Sequence, residues 1–113
     1  MSTSGTSLSE PIITHLDYFQ YIKLHPNFTG VFENSEGRFW LRNGIEHRED
    51  GPATEWASGS KEWFQNGKQH REDGPAVEYA DGREAWYLRG QIVSEEEHKN
   101  WVRNKKLETF LDD

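Results

Sequence analysis

The chain has no cysteine, which removes disulfides and thiolate metal sites and fits a reducing compartment, so a cytoplasmic protein is expected. It has no apolar run near the ~18 residues a membrane-spanning helix needs. Its N-terminus lacks the basic and apolar stretches of a signal peptide, so no membrane association is expected. It also lacks a basic segment: the net charge of −7 is spread as −3 over residues 1–37, −2 over 38–93 and −2 over 94–113. A phosphate-binding surface needs a local basic excess, so nucleic acid is not an expected partner. An acidic nucleic-acid mimic is no better supported, because Arg and Lys are interleaved with the carboxylates. Apolar residues make up only 33% of the chain, yet there are 5 Trp, 4 Tyr and 6 Phe. Large rings must therefore supply most of the burial.

What is present is a repeat. Trp40, Trp63 and Trp86 are 23 residues apart, as are Gly44, Gly67 and Gly90. Segments 38–60 and 61–83 agree at 13 of 23 positions, and His47-Arg48-Glu49-Asp50-Gly51-Pro52-Ala53 returns unchanged as residues 70–76. Self-similarity at a fixed period marks stacked supersecondary units. Short alternating runs end in Asn43-Gly44, Asn66-Gly67 and Asp81-Gly82, which favour type I′ turns, with Ser58-Gly59 and Arg89-Gly90 as weaker versions. Each unit then reads as two antiparallel strands, and successive units continue one meander. Residues 28–37 form a worn half-unit that caps the array.

The flanks read as helices. Residues 1–9, rich in Ser, Thr and Gly, read as a disordered tail. Ser9 can cap a helix over 11–24 whose stripe is Ile12, Leu16, Phe19 and Ile22, ended by Pro26. At the other end Ser94 and Glu97 form a capping box for a helix over 95–111. The fold class is thus mainly β: an antiparallel hairpin-repeat meander over 28–93, flanked by an N-terminal and a C-terminal α-helix in one domain over 10–113.

The unit Asn66-Gly67-Lys68-Gln69-His70, then Gly74, Tyr79-Ala80-Asp81-Gly82 and Trp86, resembles a MORN repeat. It is still more similar to a MORN-like variant, with His-Arg-x-Asp-Gly-Pro-Ala between the strands, that occurs in uncharacterised proteins of bacteria and their phages. The resemblance covers residues 28–93 and implies a hairpin array with non-enzymatic binding and assembly roles. Two extra residues between His and Gly and the Asp-Gly-Pro corner depart from ordinary MORN units. With the acidic charge, this leaves the lipid binding proposed for that family outside what the resemblance implies.

The His-Arg-Glu-Asp strings look catalytic, but their duplication argues for structure. Units two strands apart place equivalent atoms about 10 Å from one another, whereas zinc ligands lie at about 2.0–2.2 Å from their ion. His47 and His70 are thus not expected to share a metal. Asp50 and Asp73 are expected to accept backbone N–H bonds, Gly51 and Gly74 to supply unusual φ, Pro52 and Pro75 to begin the next strand, and Arg48 and Arg71 to pair with carboxylates. The Trp column should be core. Leu41, Phe64 and Tyr87 then occupy the opposite face, joined by Trp56 and Tyr79. That second face is either covered by the terminal helices or a binding surface. His15, His25 and His98 need no special role.

No Ser/His/Asp set, phosphate-cradling glycine loop or carboxylate pair outside the repeat appears, so no enzyme and no cofactor are expected. One functional expectation is a protein-interaction module, such as a phage-borne inhibitor that binds a host defence protein in the host cytoplasm. The other is a small-ligand binder that sequesters a nucleotide-like signal in an aromatic and arginine groove, with Arg42 and Arg89 contributing. The candidate binding residues are Trp56, Phe64, Tyr79, Tyr87, Arg48, Arg71, Trp101 and Phe110. A homodimer through Phe64, Tyr87, Trp101 and Phe110 is also expected.

Overall fold

The computed structural model describes residues 18–111, the last three as backbone only. The expected tail over 1–9, the early turns of the expected helix with Ile12 and Leu16, and the side chain of Phe110 lie outside the described residues. Helix α1 spans Tyr18–Leu24. Its inward residues are Tyr18, Tyr21 and Ile22, whereas Phe19, expected on the buried stripe, is 79% exposed. Tyrosine buries a ring as large as that of Phe while its hydroxyl stays at the rim, so tyrosines spaced by three set the face of this helix.

The strands are β1 (Gly30–Asn34), β2 (Gly37–Arg42), β3 (Ile45–Glu46), β4 (Thr54–Trp56), β5 (Lys61–Glu62), β6 (Phe64–Gln65), β7 (Lys68–Gln69), β8 (Val77–Glu78), β9 (Glu84–Leu88) and β10 (Gln91–Val93). They pair antiparallel along the path β1-β2-β4-β5-β8-β9-β10, with β3 beside β2 and β6-β7 as a separate hairpin. The architecture is the expected hairpin-rich antiparallel sheet with two helices. The unit is more elaborate than two strands, because its first strand changes partner at the tryptophan. Trp40 donates its N–H to Ala53 O (2.8 Å) and accepts from His47 N (3.1 Å). Trp63 repeats this with Ala76 O (2.7 Å) and His70 N (3.1 Å). One half of the strand thus lies in the meander and the other half folds back as a tight hairpin.

Type I′ geometry holds at Asn43-Gly44, Asn66-Gly67 and Arg89-Gly90, whose φ values are 53°/77°, 52°/82° and 53°/86°. It does not hold at Asp81-Gly82 or Ser58-Gly59, where only the glycine has positive φ. There Gly82 N bonds Tyr79 O and Tyr79 N bonds Arg83 O, and Gly59 N and Trp56 N do the same with Trp56 O and Ser60 O. This is the three-residue loop of a type I turn closed by a left-handed glycine.

Each I′ turn docks on the unit before it. The N–H groups of Gly44, Gly67 and Gly90 donate to Phe28 O, Glu46 O and Gln69 O at 2.7, 2.8 and 2.8 Å. At Gly44 a Cβ would lie 2.0 Å from Pro26 O, so approach this close, with positive φ, admits only glycine.

The core gathers at the N-terminal end, where Tyr21, Phe32, Phe39 and Leu41 are buried and Tyr18, Ile22, Phe28 and Trp56 pack around them. Tyr18 stacks on Phe39 at 4.7 Å and Tyr21 packs on Phe32 at 4.6 Å. Burial pushes the Tyr18 phenol up to about 12, assisted by the Glu46 carboxylate. Trp40, Trp63 and Trp86 are only half-buried, so the expected Trp core is corrected: Leu41 and Phe39, on the other face, carry the packing. In the second unit Glu62 replaces the Phe39 ring, and the carboxylate takes hydrogen bonds from Trp56 Nε1 (2.7 Å) and Gln69 Nε2 (2.9 Å). The apolar core therefore fades along the array. Helix α2 (Glu95–Leu111) starts with the expected capping box, Ser94 N to Glu97 Oε1 at 2.8 Å and Glu97 N to Ser94 Oγ at 3.0 Å. It meets the Trp face at the third unit, so the two helices cover opposite faces at opposite ends.

Candidate binding groove

Two nearly identical corners organise the surface. In the first, the Arg48 guanidinium lies 3.9 Å from the Trp40 ring centroid, with Nε to Asp50 Oδ1 at 3.0 Å and Nη1 to Pro52 O at 3.0 Å. In the second, Arg71 lies 3.8 Å from the Trp63 centroid, with Nε to Asp73 Oδ1 at 2.9 Å, Nη1 to Pro75 O at 3.0 Å and Nη1 to Glu78 Oε2 at 2.9 Å. Arginine can do this because its planar fork stacks and donates in several directions at once.

Three expectations for the corner are corrected. Asp50 and Asp73 hold the arginine of their own unit, their side chains are 87% exposed, and no backbone N–H bonds to either among the described residues. The guanidinium supplies the brace, donating to the backbone instead of the carboxylate accepting from it. Gly51 and Gly74 have no left-handed φ. A Cβ there would lie 2.9 Å from Arg48 Cζ and 2.8 Å from Arg71 Cζ, so glycine leaves room for the guanidinium. Pro52 and Pro75 precede β4 and β8 by two residues instead of beginning them.

The histidines tie one unit to the next. His47 Nδ1 accepts from Asn66 N and His70 Nδ1 from Arg89 N, both at 2.9 Å. That leaves the Nε2 proton to donate to Glu49 Oε2 (2.9 Å) and Glu72 Oε2 (3.3 Å). Both ring nitrogens are engaged in each unit. His47 is only 7% exposed. Among the described residues no group of three His, Asp or Glu side chains is placed to hold a metal.

Between the corners runs an open groove of about 1030 Å³, lined by both sets of Arg, Glu and Asp together with Trp63, Gln65, Asn66, Lys68 and Arg89. Of the expected binding residues, Arg48 and Arg71 lie in it. Phe64 and Tyr87 are half-buried in β6 and β9 and do not line it. Trp56 is tied to the core by an edge contact with Phe39 at 5.5 Å. Tyr79 lies under Arg83 at 4.8 Å. Trp101 belongs to α2, where it meets His70 and Arg89. Arg42 donates to Asn66 Oδ1 at 2.9 Å.

Sequence reasoning missed Trp63 as a groove residue, although both units show the signal: an arginine eight positions after the tryptophan, with glycine three further on. It also missed His98, which is 2% exposed, packs on Trp86 at 4.8 Å and donates Nε2–H to Arg71 O. Its signal was a vacancy in the pattern. In the third unit the arginine position holds Ser94, and His98 covers the tryptophan instead. Further along α2, Lys105 donates to Glu72 Oε2 at 2.7 Å. That bond, assisted by His70, holds the Glu72 carboxyl below the usual range.

No protein-family model, curated protein or solved structure matches this chain.

Proposed function

We propose that the chain is a non-enzymatic protein-interaction module, a MORN-like hairpin array that binds a partner protein along the groove between its two corners. The observation that carries this reading is the engagement of the corner arginines. Each is stacked on its own tryptophan and bonded to its own backbone, so neither can turn to clamp a phosphate without dismantling its corner. What faces outward is carboxylate, with Glu49 at 74% and Asp50 and Asp73 at 87% exposure, alongside Lys68 and Arg89. A wide, open groove with both signs of charge suits the side chains of another polypeptide better than a nucleotide. Both ring nitrogens of His47 and of His70 are paired, so neither imidazole is free to act as a base. A phage-borne inhibitor of a host defence protein is a role within this class, and self-association through Phe64 and Tyr87 is compatible with it.

The test compares the immobilised chain with Asp50→Asn/Asp73→Asn, which keeps the bonds to the arginines and removes two outward charges. A bacterial protein retained by the first and lost by the second supports the groove. Equal retention by both, or a thermal shift with nucleotides, overturns it, the latter in favour of the ligand-binding alternative.

A further inference from the structure

Helix α2 shows what kind of element a corner accepts, because it is docked on the second one. Its contacts besides His70 are two places on that corner and two on the unit that follows: His98 on Trp86 and on Arg71 O, Trp101 beside Arg89, and Lys105 on Glu72. Moved back by one 23-residue period, the four become Trp63, Arg48, Asn66 and Glu49. All four line the open groove. The surface that holds a helix across the second and third units is thus repeated across the first and second, where no helix of the described residues lies on it.

The two surfaces differ in ways that define the occupant. Trp63 is already covered by Arg71, and Arg48 O already takes Gln65 Nε2–H at 2.9 Å, so the two places that His98 fills are closed one period earlier. Glu49 is not closed. It pairs with His47 and stands 3.9 Å from Arg42 Nη1, but 74% of its side chain faces water, where Glu72 has Lys105. Asn66 has no guanidinium of its own, but its Oδ1 takes Arg42 Nη2 at 2.9 Å, so Arg42 brings to this place the cation that Arg89 presents to Trp101.

Resting on the reading of the groove as a protein-binding surface, we infer that it receives a partner helix bearing an aromatic residue and, one turn later, a lysine or arginine, arranged as Trp101 and Lys105 are on α2. The basic residue pairs with Glu49 and the ring lies over the Arg42 guanidinium held on Asn66, a pair that one face of a helix presents at a spacing of four.

The probe is a synthetic peptide of residues 95–111 added to the isotope-labelled full chain and followed by amide NMR. The expected result is saturable shifts at Glu49, Gly51 and Asn66, weakened about two- to fivefold by Glu49→Gln in the protein and further by Lys105→Glu in the peptide. The substituted Gln keeps an acceptor for His47. No shift at millimolar peptide overturns the inference, and so do shifts confined to His70–Asp73 and α2, which mark exchange with the chain's own helix. If these negative results coincide with a lysate protein still retained in the Asp50- and Asp73-dependent manner above, the helix is wrong and the protein-binding reading stands. If that retention is absent too, both fall.

Discussion

The guanidinium of Arg71 lies 3.8 Å from the centroid of the Trp63 ring while its Nη1 reaches on to Pro75 O at 3.0 Å. One side chain therefore fixes both the tryptophan of its unit and the corner that leads to the next strand. Its removal forfeits a cation–π contact worth ~0.5–2 kcal/mol and leaves a carbonyl without its charged donor. Arg71→Ala should lower stability by about 2–3 kcal/mol in urea unfolding. Arg71→Lys should recover less than half, since an ammonium cannot stack and fork together. Asp73→Asn should stay within about 1 kcal/mol, because that carboxylate is exposed. A loss at Asp73 equal to that at Arg71 would return the corner to the carboxylate.

Gly74 provides an independent check on the same contact. A Cβ there meets Arg71 Cζ at 2.8 Å, and its three nearest atoms all belong to that guanidinium. Gly74→Ala should therefore destabilise the native protein and change its tryptophan emission, yet cost little when Arg71 is already alanine. A double-mutant cycle measures this. Equal costs in both backgrounds would place the effect in the backbone.

The repeat, three of the five turns, the fold class and the capping box were legible because each is a local rule: a period, a dipeptide, a Ser and Glu three apart. Which face of the sheet is core was not. Trp40 and Leu41 are adjacent on β2, and the recurrence of tryptophan at the repeat period favoured Trp40. The choice depends on Arg48, eight residues on, which covers the indole and lets it stay half-exposed, and on Tyr18 and Tyr21, which bring an aromatic face to Phe32 and Phe39. His98 was illegible for a similar reason, since its role exists only because the third unit has no arginine corner.

The stability order follows from that packing. Phe32 is 1% exposed and touches the rings of Tyr18, Tyr21 and Phe39, whereas Trp63 is half-buried. Phe32→Ala should cost ~3–5 kcal/mol, and Trp63→Ala clearly less. Chemical denaturation of the two variants ranks them. A Trp63 loss above that at Phe32 would put the centre of the fold back in the Trp column.

Acid should loosen α2 before the rest of the chain unfolds. The Glu72 carboxyl is held low by Lys105 and His70, so its contribution is present above the ordinary carboxylate range and is lost as pH falls through the lower, folded value. The pair is about half exposed, which limits it to under ~1 kcal/mol. Hydrogen exchange in α2 should rise as the pH drops through that window and should already be raised at neutral pH in Lys105→Ala. An α2 equally protected in both proteins would make the pair irrelevant to its docking.

Glu46 behaves in the opposite sense. Burial pushes its carboxyl up, Glu62 adds to the effect, and the Thr54 hydroxyl, donating to Oε2 at 2.8 Å, partly offsets it. A raised folded value means that the native state holds the proton more tightly than the unfolded chain does. Ionised Glu46 thus lowers stability at neutral pH, and that penalty fades as pH falls from the folded value to the unfolded one. Glu46→Gln removes the charge and keeps an oxygen for Thr54. The next unit already carries Gln69 at this place, bonded to Glu62. The variant should melt above the native protein at pH 7 and converge with it near pH 4. A variant that melts lower at pH 7 would show that the carboxylate is a net asset where it stands, through its bond with Thr54.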